Sequence, residues 1–118
     1  AHSSEVRSVG LDAEPDAPLP GGVLRRIARE EELAWIEGAR GVGVDHPDRL
    51  LFSVKESIYK AWYPLAGRWL GFEDATVEVD ASSQTFRAEI LVAGPLDAVT
   101  GRYVSDAGIV VTAIEVPH

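Results

Sequence analysis

The stretch from Asp45 to about Tyr63 constrains the fold more than any other part of the sequence. Apolar residues recur at Leu51, Val54, Ile58, Trp62 and Leu65 in steps of three and four, the spacing that gathers side chains along one side of an α-helix. Asp45 or His46 suits the cap and Pro47 the first turn, where a missing N–H is harmless. Pro64 and Gly67 are expected to stop the helix. A shorter helix is expected from Val23 to Glu37, on Leu24, Ile27, Leu33 and Ile36. Before it, Val6 to Leu11 reads as a strand ending at Asp12, and Pro15 with Pro18-Leu19-Pro20-Gly21-Gly22 as a loop. Alternation at Thr76–Val79 and Thr85–Ile90, and a β-branched run from Gly108 to Val116, read as strands, with turns at Gly94-Pro95 and Asp106-Ala107-Gly108. Strand, helix, helix, then several strands predicts an α+β fold with helices packed on one face of an antiparallel sheet.

A chain of 118 residues is one domain or one lobe. Its net charge of −8 argues against nucleic acid, which requires clustered Lys and Arg. No apolar run is long enough to span a membrane, and no basic start followed by an apolar stretch marks a secretory leader. The absence of cysteine excludes disulfides and thiolate metal sites, and a cytoplasmic protein is expected. Glu30-Glu31-Glu32 reads as a solvated helix face. The glycine-rich stretch from Gly38 to Val44 reads as a loop, and it lacks the Gly-Lys-Ser/Thr ending of a phosphate loop.

Two short segments carry chemistry. Gly10-Leu11-Asp12-Ala13-Glu14-Pro15 places two carboxylates on alternate residues, which point the same way on an extended chain. Phe52-Ser53-Val54-Lys55-Glu56-Ser57-Ile58-Tyr59-Lys60 places a carboxylate between two lysines, with Glu56 and Lys60 one helical turn apart and away from the apolar stripe. Lys55 falls between the two faces. Taken singly, the first is a turn or helix-entry feature or a metal-binding pair. The second is a solvated ion pair or a catalytic one. Asp16 is an exposed loop aspartate or a further ligand, and His46 a capping or surface residue. Trp35, Trp62 and Trp69 read as core or interface residues, and His2 and His118 as chain-end residues without a role.

In this order and at this separation the two segments resemble the 4′-phosphopantetheinyl transferases. The likeness is to their two-lobed, surfactin-type and enterobactin-synthase-type group, which carries G-(I/L/V)-D-x-E followed by (W/F)-(S/T/A/C)-x-K-E-(S/A)-x-x-K. Phe52 stands where many members have Trp. The resemblance implies transfer of the phosphopantetheine arm of coenzyme A to a serine of an apo acyl or peptidyl carrier protein, releasing 3′,5′-ADP. It implies Mg²⁺, with Mn²⁺ as an alternative, held by Asp12, Glu14 and Glu56. Glu56 is expected to be the base, Lys60 to contact the substrate phosphates, and Lys55 to have a substrate-side role. A bound cation would also reconcile an acidic chain with an anionic substrate, because it inverts the local sign.

The resemblance further implies that this chain is the C-terminal lobe of a pseudo-dimeric enzyme. Ala1 to Gly10 reads as entering mid-fold, with an N-terminal lobe, and its S-x-(T/S)-H-like adenosine-phosphate segment, absent from the chain. Small trimeric carrier-protein synthases are the nearest alternative in size. They are set aside on Glu14, the K-E-S wording and the β-rich tail without S-x-S-H. The carrier is expected near Pro15 to Glu37, against Leu19, Val23 or Leu24. Arg25, Arg26 and Arg29 would steer an acidic partner or merely offset Glu30 to Glu32. From a different class, a non-catalytic metal- or anion-binding module remains the alternative, and after it a generic α+β interaction domain in which the three carboxylates never meet.

Overall fold

The computed structural model describes residues 6–39 and 44–117. Five antiparallel strands form one sheet in the order β1-β5-β4-β3-β2: β1 Val6–Pro15, β2 Ala75–Asp80, β3 Thr85–Ile90, β4 Ala98–Asp106 and β5 Ile109–Pro117. Three helices complete the described chain: α1 Val23–Ile27, α2 Glu30–Ala39 and α3 Pro47–Ala66. A 3₁₀ turn, Phe72–Asp74, leads into β2. The helices cover one face of the sheet, as expected. No described helix is long and apolar enough to cross a membrane.

Helix α3 is the long helix that the periodicity predicts. Leu51, Val54, Ile58 and Trp62 are buried in the core with Leu50 and Ala61. The helix runs one turn past its expected stop. Pro64 lies inside its last turn, and the left-handed Gly67 ends it by donating its N–H to the Tyr63 carbonyl. Pro64 forfeits a single backbone bond there, which a terminal exposed turn tolerates.

Small residues set how closely α3 lies on the sheet. Ser53, Ser57 and Ala61 repeat every fourth position and face Thr112, Gly10 and Ser8. The Ser53 and Thr112 hydroxyls meet at 2.9 Å, and the Ser8 hydroxyl donates to the Ala61 carbonyl at 2.8 Å. Gly10 completes the contact: a Cβ there would overlap the carbonyl oxygen of Ser57. The first residue of the G-L-D-A-E segment is therefore required by helix packing, and it registers Asp12 and Glu14 against α3. Gly10→Ala is expected to destabilise by at least about 1–3 kcal/mol, the usual cost of overpacking, because backbone must move. Urea unfolding of the purified variant checks this, and an unchanged midpoint would contradict it.

Three further boundaries differ from expectation. β1 continues through Asp12 to Pro15, since Asp12 pairs with Thr112 and Glu14 with Val110 in the β5 ladder. The helix expected over Val23–Glu37 is broken at Ala28, whose backbone is extended, and α2 then runs on to Ala39, two residues past the expected end. The loop expected over Gly38–Val44 falls partly on α2 and partly on 40–43, outside the described residues, as are His2 and His118. Strand β4 was not foreseen as an element. It turns Val99 and Tyr103 inward around Gly101, where a Cβ would overlap the Phe86 ring.

Candidate active site

The site lies where α3 crosses β1. Asp12 is 6% exposed, so its carboxylate is nearly out of water. Lys60 donates to its Oδ1 at 2.9 Å, and Oδ2 is buried without a hydrogen-bond partner among the described residues. Glu14 stands two residues on, on the same face of β1, and receives Arg49 Nη1 at 3.1 Å. Glu56, half-buried on α3, feels the charge of Asp12. The structure therefore brings together Asp12, Glu14, Glu56 and Lys60, which the generic-domain alternative would have kept apart.

Their ionisation reflects the crowding. Burial pushes the Glu56 carboxyl above its ordinary value and Asp12 adds to the shift, while Lys60 opposes it. Burial also raises Glu14, reinforced by the neighbouring Asp12 carboxylate and opposed by Arg49. Lys60 is held above the ordinary lysine value, first by its hydrogen bond to Asp12 and then by the charges of Asp12, Glu56 and Glu14. Its side chain is 48% exposed, so a permanent cation reaches solvent beside the carboxylates.

Raised carboxylate values carry a definite sign. Below about pH 4.5, the ordinary glutamate value, both states are largely protonated. As the pH rises, the unfolded chain loses its proton from Glu56 first, and the stability conferred by keeping it is lost through the raised folded value. Glu56→Gln should therefore be more stable than wild type in chelator at pH 7, with the difference shrinking at pH 4. Paired denaturant titrations check this. A variant less stable at pH 7 would contradict the crowding.

An orphaned carboxylate oxygen beside two more carboxylates fits a hard cation, which takes oxygen ligands only. Among the described residues no three such side chains are yet gathered into a finished cage. Lys60 and Arg49 occupy one oxygen each of Asp12 and Glu14. Magnesium is compatible with so partial a set, because it keeps several waters and uses one or two carboxylates plus substrate phosphate.

Lys55, expected on the substrate side, does not join this group: its ammonium is held by protein acceptors, while its side chain helps line the hollow beside Glu56. It is 4% exposed, and its ammonium reaches Glu32 Oε1 and the carbonyls of Ile27 and Phe72 at 2.7 Å, with Ala75 O at 3.1 Å. An ammonium has three protons, so none is left for a phosphate. Glu32, expected on a solvated face, is 1% exposed and accepts further from Arg29 N at 2.7 Å and Val77 N at 2.8 Å. Burial lowers Lys55 against the pull of Glu32. Glu30 and Glu31 remain outside, as expected.

Two further features touch the site. A hollow of about 260 Å³ opens between Glu56, Tyr59, Trp69, Leu70 and Phe72. Another hollow, about 670 Å³, lies on the uncovered face of the sheet and contains none of the motif carboxylates. Arg49 was missed by sequence reasoning. Its signal was its place seven residues before Glu56, two turns along the same helix face. Asp16 binds His46 Nδ1 at 2.9 Å and the Ser105 hydroxyl at 2.7 Å, and no further ligand is needed to explain either residue. Trp62 is core, Trp35 partly buried and Trp69 exposed.

The carboxylates on β1 and the carboxylate–lysine pair on α3 belong to the two segments by which the sequence resembles one enzyme superfamily. A sequence profile of the 4′-phosphopantetheinyl transferase superfamily matches residues 8–106, and the chain belongs to that superfamily. It is 46% identical over 123 residues to 4′-phosphopantetheinyl transferase Svp of Streptomyces mobaraensis, an alignment covering 98% of this chain and 50% of that protein. It is 43% identical over 128 residues to 4′-phosphopantetheinyl transferase Npt of Nocardia iowensis, covering 97% and 57%. It is 46% identical over 119 residues to 4′-phosphopantetheinyl transferase PptT of Mycobacterium tuberculosis (strain ATCC 25618 / H37Rv), covering 92% and 52%. The chain thus spans about half the length of these relatives.

Proposed function

We propose that this chain is the metal-binding half of a 4′-phosphopantetheinyl transferase, acting on coenzyme A and an apo carrier protein. The observation that carries this reading is the meeting of Asp12, Glu14, Glu56 and Lys60, with Asp12 Oδ2 buried and unpartnered among the described residues. The relatives' names supply the reaction class.

In this reading Asp12, Glu14 and Glu56 hold Mg²⁺, or Mn²⁺ in its place. The ion, when bound, supplies charge neutralisation on the pyrophosphate. Glu56 accepts the proton of the carrier serine, directly or through one water. Its raised basicity favours that task over an ordinary surface glutamate. The serine oxygen forms a bond to the β-phosphorus of coenzyme A, and the bond to the departing 3′,5′-ADP breaks. Lys60 stabilises negative charge on the transferred group. The apolar hollow beside Glu56 suits a slender, weakly polar chain such as a pantetheine arm.

The reading also needs a second unit, filling the other half of the relatives' length and supplying most contacts to the nucleotide. Exposed Val9, Leu11, Val104 and Ile109 on the uncovered sheet face are apolar surface such a unit would bury. The carrier would dock beside the loop after β1 and helix α1, where Arg25 and Arg26 are exposed. A cytoplasmic location goes with these substrates.

Incubation with coenzyme A, Mg²⁺ and apo carriers of the fatty-acid, polyketide and nonribosomal-peptide classes tests the reading by intact mass. The intact gene product and the 118-residue chain are run side by side. Addition of one phosphopantetheine by the intact product supports it. No addition to any carrier leaves the non-catalytic metal-binding module as the better reading.

A further inference from the structure

We propose that Arg49 is the positioning residue that orients Glu14 for metal binding. The inference rests on the carboxylate metal site proposed above and adds a residue that neither motif contains.

Helix α3 runs antiparallel to β1 and presents Arg49, Glu56 and Lys60 along one line, at intervals of seven and four residues. Each terminal cation holds one oxygen of one β1 carboxylate: Lys60 takes Asp12 Oδ1 at 2.9 Å, and Arg49 takes Glu14 Oε1 at 3.1 Å. The other oxygens, Asp12 Oδ2 and Glu14 Oε2, receive no hydrogen bond among the described residues. Two carboxylates are thus each pinned on one side and left open on the other, with Glu56 between their partners on α3. That is the arrangement by which outer groups aim carboxylates at a cation.

Arg49 is fixed well enough to aim another group. Its side chain is 13% exposed; Nε donates to the Ala17 carbonyl at 3.0 Å and Nη2 to Pro18 at 3.1 Å. The planar fork therefore ties the loop after β1 and Glu14 together in one geometry, which a lysine's single ammonium cannot copy. Asp48 ties the same loop independently, accepting from Leu19 N at 2.9 Å without touching Glu14. The two tethers can be separated by mutation.

The test is Mn²⁺ affinity of the intact protein without coenzyme A, read from the loss of the free-ion EPR signal, with Mg²⁺ as competitor. Arg49→Met is expected to weaken binding about 10–100-fold, the usual effect of removing a group that orients a ligand. Arg49→Lys should fall between it and wild type. Asp48→Ala, which loosens only the loop, should bind within about threefold of wild type. In a Glu14→Gln background, Arg49→Met should weaken binding no further, since nothing remains to orient.

Unchanged or tighter binding by Arg49→Met overturns the inference, tighter binding meaning that Arg49 competes with the ion. An equal loss in Asp48→Ala also overturns it, reducing Arg49 to a loop tether. Should Arg49→Met not fold, the Arg49→Lys measurement and its cycle with Glu14→Gln decide the matter alone. If wild type binds no Mn²⁺, the metal site itself fails and this inference with it. If wild type binds, Asp12→Asn does not, and Arg49→Met binds like wild type, only the role of Arg49 is lost.

Discussion

Glu56→Gln should lower the rate of phosphopantetheine transfer by about 10²–10⁴-fold, the range for loss of a positioned general base. Gln fills the same space on α3, so the Leu51–Trp62 stripe and the close contact between Ser57 and Gly10 are untouched. What disappears is a basic oxygen and one negative charge. The crowding of Asp12, Glu14 and Glu56 falls at the same time, so the variant should fold at least as well as wild type in the absence of metal. Loss of rate without loss of stability is the signature, since a variant crippled by misfolding would lose both. Single-turnover transfer followed by intact mass of the carrier, beside chelator-treated denaturation, gives the two readings. Transfer within about threefold of wild type would remove Glu56 from the proton path.

The elements that were legible in the sequence are those whose signal is local. The apolar stripe of α3, Pro47 at its start and the alternation of Thr85–Ile90 are all statements about residues a few positions apart. The two motif segments were legible through family likeness, and the structure adds the reason for part of their wording. Gly10, Ser53 and Ser57 are small because α3 and β1 approach to backbone contact. What remained hidden depends on partners far along the chain. The break between α1 and α2 follows from Glu32 turning inward to Lys55 and Val77, and Glu30-Glu31-Glu32 in isolation reads as a solvated run. Arg49 meets Glu14 across 35 positions. Strand β4 hides its inward face because Gly101 gives up its side-chain space to Phe86, leaving an alternation of Val99 and Tyr103 too sparse to see.

Breaking the Lys55–Glu32 pair should have the largest effect on stability. Lys55→Met is expected to cost about 3–5 kcal/mol, because it leaves the Glu32 carboxylate charged and buried with its principal counter-charge gone. That is a large share of the roughly 5–15 kcal/mol that holds a domain folded. Glu32→Leu should cost a similar amount and also strand the N–H groups of Arg29 and Val77. The double variant should be less destabilised than the sum of the two, since removing both charges leaves only unpaired backbone groups. Those groups, three carbonyls and two N–H, keep it well below wild type, so this pair is not one that apolar residues can simply replace. Urea midpoints of the four proteins, at constant slope, measure the cycle. Additive losses would mean that the two side chains do not interact. Kinetics on whatever Lys55→Met remains folded separates this structural role from the substrate-side one. The ammonium is fully engaged by protein, so KM for coenzyme A should stay near the wild-type value while the folded fraction falls. A raised KM at full folding would place Lys55 on the substrate after all, and would require its four acceptors to be released when coenzyme A binds.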